Sequence, residues 1–137
     1  MCTNFYDAFI RHDNDANLLL NNSRWANADH LFGLAAECAL KAILIQQGIP
    51  SDNGDIRKKG YNTYRKHINQ LWDSYQAYMQ TRIAYVIPDE NPFTDWEITQ
   101  RYAPEGTITE QIVQKHSAAI AKVRAVIKQA ELDGVIP

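Results

Sequence analysis

Apolar residues recur at three- and four-residue steps along most of this chain, the pattern of helices that bury one face. Phe5, Ala8, Phe9, Ala16, Leu19 and Leu20 set the period over about residues 3–20. Asn21, Asn22 and Ser23 break it, and Ser23 is placed to N-cap a second helix. That helix includes His30 to Gly48, HLFGLAAECALKAILIQQG, and stops at the glycine and Pro50. It is apolar nearly all the way round, which predicts a buried central element with Leu34, Cys38, Ala42 and Ile45 inside. Its polar exceptions, His30, Glu37 and Lys41, share one narrow stripe at about 100° per residue. Charges in such a place must be paired or functional, because an isolated buried charge is very costly.

Residues 49–66, IPSDNGDIRKKGYNTYRK, have no sustained period and are expected to form a loop. Ile68, Leu71, Trp72, Tyr75, Met79 and Val86 predict a third helix over 68–86, ended by Pro88. Thr94 and Glu97 have capping-box spacing, so a short helix is expected at about 94–101. Thr107 and Glu110 repeat the spacing and open a last helix to about Leu132, with Ile112, His116, Ala119, Ile120, Val123, Ile127 and Ala130 inward. No strand-like alternation of useful length occurs. The expectation is a single all-α domain over residues 1–137, a bundle of four main helices plus a short one.

Composition narrows the class. At 45% hydrophobic, 137 residues can bury one sizeable core. A net charge of −2 gives no global field for nucleic acid, so such binding needs a local patch. There is no uncharged run long enough to span a membrane and no apolar signal core near the start, so a cytoplasmic protein is expected. Cys2 and Cys38 suggest neither a disulfide framework nor a zinc site. His12, Asp13 and Asp15 lack a second ligand pair, so no metal or other cofactor is expected. HExxH, GxSxG, CxxC, the Rossmann glycines and a P-loop are all missing.

Three groups of residues bear on function. Glu37 and Lys41 are an i,i+4 pair in the favourable order, and Glu37 is a candidate for a bidentate bond with Arg101, the sharper expectation. Arg57, Lys58, Lys59, Arg65 and Lys66 fall within ten positions, with Tyr61 and Tyr64 between them. The cations suit phosphates and the tyrosines suit stacked bases; a solvated loop is the plainer alternative. Trp96, Arg101 and Tyr102 suit either a cleft wall or a loop held down by Trp96. His67 is expected to pack against the second helix, and His116 to bond another helix.

A long second helix carrying AAECALKAIL, a glycine, a polar loop and then a helix led by His67 and Leu71 resembles the HEPN superfamily of small helical bundles. DWEITQRY, residues 95–102, is similar to a segment between the third and last helices of some members. The resemblance implies a homodimer linked to RNA or nucleotides in a defence, toxin–antitoxin or stress role. It also implies, for some members, metal-independent ribonuclease activity from an Arg followed four to six residues later by a His. Arg24 and His30 have that spacing, although they open the second helix rather than a late one, and on a regular helix they would point about 120° apart. Other members are non-catalytic companions, so a helical module binding a partner protein is the alternative.

Overall fold

The computed structural model describes residues 1–137. Its helices are α1 (Phe5–Asn21), α2 (Trp25–Gln46), α3 (Ile68–Met79) and α4 (Glu110–Leu132), with a small hairpin of β1 (Ser51–Asp52) and β2 (Asp55–Ile56). Single turns of 3-10 helix lie at Asn62–Tyr64, Ile83–Tyr85 and Ile98–Tyr102. The all-α bundle follows the apolar periodicity. α2 is its centre: 14 of its 22 residues are buried, so it has no broad solvent face. α1, α3, α4 and the turn at Ile98–Tyr102 all pack against it. Cys38 and Ala42 are buried, while Leu34 and Ile45 are only half-buried at its edges. No helix is long and apolar enough to cross a membrane.

The element boundaries differ from the sequence expectation for physical reasons. Ser23 does not cap α2; its φ is +60°, and it closes α1 instead. Its N–H donates to Leu20 O at 3.1 Å and that of Arg24 to Leu19 O at 2.9 Å, the two bonds of a Schellman ending. Arg24 is thereby left as the N-cap of α2 with no side-chain cap. α3 stops at Met79 rather than running to 86, because β-branched Thr81, Ile83 and Val86 disfavour helix and the chain folds back. Tyr75 Oη then donates to Tyr85 O at 2.5 Å, and Gln76 Nε2 donates to Ile87 O at 2.8 Å.

Residues 49–66 are folded rather than a plain loop. Ser51 pairs with Ile56 and Asp52 with Asp55 around an Asn53–Gly54 turn whose φ values are +52° and +84°, as a two-residue hairpin requires. Gly54 has a second reason to be glycine: a Cβ there would lie 1.8 Å from Thr3 O. In the next connection the capping box is formed by Glu97 and Gln100, not Thr94 and Glu97, and it opens the 3-10 turn at Ile98–Tyr102. Thr109, not Thr107, caps α4 by accepting from Ile112 N at 3.3 Å. Thr107 N–H is held in a turn by Pro104 O beside Gly106, whose φ is +85°. The inner face of α4 accordingly includes Val113, with Ile112 at its margin.

Candidate functional site

The polar stripe of α2 is a continuous seam with partners from other elements. Glu37 Oε2 accepts from Lys41 Nζ at 3.0 Å, and Glu37 Oε1 lies 2.9 Å from Nδ1 of His67, the N-cap residue of α3. Glu37 and Lys41 are each only 8% exposed, so both charges depend on this pairing. Arg101 is not the partner of Glu37. It sits on the 3-10 turn with its guanidinium 4.9 Å from the Tyr102 ring centroid, exposed to solvent. Both oxygens of Glu37 are already engaged by nearer donors.

Loss of Glu37 alone should therefore strand Lys41. Glu37→Ala is expected to destabilise by about 3 kcal/mol, and the double variant Glu37→Leu/Lys41→Met by less than that single change. Chemical denaturation of the wild type and the two variants measures the difference; a double variant that loses as much as Glu37→Ala or more would rule out the pairing.

His30 occupies the other end of the stripe. Its ring stacks on Trp96 with centroids 5.9 Å apart and planes 10° apart. The His67 ring approaches the same indole at 6.4 Å. Burial lowers the pKa of His30, and the charges of Arg101, His12 and His67 lower it further, against the opposing pull of Asp29. His12, on α1, is lowered by burial and by Arg11. His12 on α1, His67 at the start of α3 and the Arg101 charge thus all lie near His30 on α2. No group of three or more His, Cys, Asp or Glu side chains is arranged to hold a metal ion.

Arg24 is not brought to His30. It is exposed at the start of α2 and lines a separate cavity with Asn27 and Glu105. The cation acting on His30 is Arg101, which lies 71 residues along the chain.

Trp96 is placed by a network that the sequence pattern did not reveal. Gly33 on α2 leaves the space for its indole: a Cβ there would lie 2.0 Å from Trp96 Cε2. Trp96 Nε1 donates to Asp29 O at 3.0 Å. The Asp29 side chain is fully buried, with Oδ1 2.6 Å from His116 Nδ1 and Oδ2 accepting from Gln100 Nε2 at 2.6 Å. His116 Nε2 lies 2.8 Å from Asp95 Oδ1, so one imidazole on α4 is held between two carboxylates. Burial opposes charge on His116, but the bonds and charges of Asp29 and Asp95 outweigh it and raise the pKa. His116 does bond another helix, as its inward position suggested. Asp29 had no sequence signal, because its partners lie 71 and 87 residues away.

The basic segment divides into bound and free charges. Arg57 pairs with Asp52 at 3.3 Å and Arg65 with Asp55 at 3.1 Å, and Arg65 also bonds the Ile56 carbonyl. Lys58, Lys59 and Lys66 are exposed and make no ion pair. Tyr61 and Tyr64 are not free stacking platforms. Both are half-buried against the core, and Tyr64 meets Tyr78 edge-on at 5.8 Å.

Comparison with family models, curated proteins and solved structures returned no match.

Proposed function

We propose that this chain is an RNA- or nucleotide-associated helical domain of HEPN-like character, acting as a cytoplasmic homodimer in a defence, toxin–antitoxin or stress setting. The observation that supports it best is the distribution of unmatched charge. Glu37, Asp29 and Asp95 are each bonded inside the fold, whereas Arg101, Lys58, Lys59 and Lys66 have no carboxylate partner. Lys66 directly precedes His67, so the basic segment leads into the seam. The local cluster of free lysines at 58, 59 and 66 favours a polyanion despite the net negative charge of the whole chain. The metal-independent ribonuclease form of this reading makes His30 the general acid or base and sets Arg101, in place of Arg24, on the phosphate.

Fluorescence anisotropy with single-stranded RNA across a salt series tests the reading. Affinity should fall steeply as salt rises, and Lys58→Ala/Lys59→Ala/Lys66→Ala should reduce the log–log slope by about 2. His30→Ala should leave that slope intact while abolishing any cleavage. A protein that binds no RNA at low salt defeats the reading. The interaction-module alternative would then lead, supported by Ile10 and Leu18, which are 40% and 62% exposed on α1.

A further inference from the structure

His116 is fully buried on α4, and both of its ring nitrogens face carboxylates, Nδ1 that of Asp29 at 2.6 Å and Nε2 that of Asp95 at 2.8 Å. An ionised carboxylate only accepts, so both contacts are bonds only while both nitrogens carry a proton. A neutral imidazole has one N–H and one lone pair, and its lone pair would face an oxygen at hydrogen-bond distance. Loss of one proton therefore breaks one of the two contacts. The two carboxylates differ in what release costs them. Asp29 is shut off from solvent, so releasing it would strand a buried charge. The Asp95 side chain is 44% exposed and also accepts from Lys115 Nζ at 2.6 Å, so it can turn to water. The bond to Asp29 stays and the bond to Asp95 goes.

We propose that His116 is a proton-operated latch: with both nitrogens protonated it ties the connection between α3 and α4 to the bundle, and as the neutral imidazole it releases that connection at Asp95. The proposal does not depend on the RNA reading. Residues 95–100 reach buried partners through three polar bonds, Asp95 to His116, Trp96 Nε1 to Asp29 O and Gln100 Nε2 to Asp29 Oδ2. Loss of the first leaves the other two, so the stretch opens locally while the core holds. The turn at Ile98–Tyr102, with its exposed Arg101, belongs to this stretch. The charged groups facing the ring are Asp29 from α2 and Asp95 from the connection, with Lys115 of α4 behind Asp95. Towards α3 the ring meets Phe93, stacked at 5.0 Å and packed in turn on Trp72. The nearest ion pair to α1, Asp13 with Arg124, lies about two turns further along α4. Burial works against the charged ring, but the two carboxylates outweigh it and hold its pKa above the ordinary 6.5. The latch is shut below that value and opens as pH rises through the raised one.

The test is amide hydrogen exchange of the full chain, followed by NMR from pH 6.5 upward. It is read as protection factors, so that the intrinsic acceleration with pH cancels. The N–H groups of Trp96, Gln100 and Ala103 donate to the carbonyls of Phe93, Glu97 and Gln100. Their protection should fall about tenfold as the His116 ring resonances titrate, the loss expected of one charge-assisted bond. Amides in the middle of α2 should keep theirs. Asp95→Asn separates a latch from a merely structural contact. Its amide offers Oδ1 to an N–H or Nδ2–H to a lone pair, and so matches either form of His116. This variant should hold the same three amides equally at every pH, although it gives up the bond to Lys115. Protection that is unchanged through the His116 titration overturns the proposal, as does a His116 ring that does not titrate before the protein unfolds. An equal fall in Asp95→Asn, or one shared by the middle of α2, also overturns it.

Discussion

Replacing His116 with alanine is expected to destabilise the protein by about 3–5 kcal/mol, because it leaves the fully buried Asp29 carboxylate facing an empty space. A fall in the thermal midpoint on the order of 10 °C should follow. Asp29→Asn/His116→Gln, which keeps polar contacts without buried charge, should recover part of the loss. The pH dependence has a defined sign. The pKa of His116 is raised above its ordinary 6.5, so its contribution is complete below that value and is lost as pH rises through the raised one. Asp95 behaves in the opposite way. Burial pushes it up, but bonds from Lys115 and His116 hold it below its ordinary 3.8, so its contribution disappears as pH falls through the lowered value. Denaturation curves measured upward from pH 6.5 should therefore show a decline in the native protein that His116→Gln lacks. An identical decline in both would rule out a charged His116 in the folded state.

Gly33→Ala should have an effect of similar size by a different route. Alanine in place of glycine inside a helix is ordinarily stabilising by about 1 kcal/mol. Here the new methyl would overlap the Trp96 indole, whose atoms lie from 2.0 Å away, and the helix backbone cannot retreat from its own core. Trp96 would have to leave its pocket, losing its burial and its bond to Asp29, at a cost of about 3–5 kcal/mol. The net result is a destabilised protein with red-shifted tryptophan emission. A more stable Gly33→Ala protein with unshifted emission would contradict the placement of Trp96.

The buried core was legible because a period in the sequence reports it directly: α2 and the inner face of α4 follow from where the apolar residues stand. The seam on α2 was legible for the same reason, since a few polar residues on an apolar helix are conspicuous. Its partners were not. Glu37 was expected to reach Arg101 on charge alone, but Lys41 one turn away and His67 at the head of α3 hold nearer positions. Asp29, beside His30 in the sequence, gave no sign of being the hub for Trp96, Gln100 and His116, because burial of a carboxylate depends on partners that no local pattern reveals. The hairpin was missed for another reason. Its two-residue strands are too short to alternate, and only the Asn53–Gly54 dipeptide marked it. Ser23 showed how one residue type serves two ends: a helix start calls for its side chain, yet its left-handed backbone closes the helix before.

The division between near and distant contacts in this bundle also sets an order of assembly. α1 and α2 are joined by three residues and pack along each other, so their pairing closes only a short loop and can form early. The surroundings of His30 depend on Trp96 and on the Asp29–His116 bond, which join positions 67 to 87 residues apart in the chain. The contacts that orient His30 are thus among those that close the longest loops in the bundle. A chain with α1 and α2 already paired would carry most of its helical signal before it carried a site.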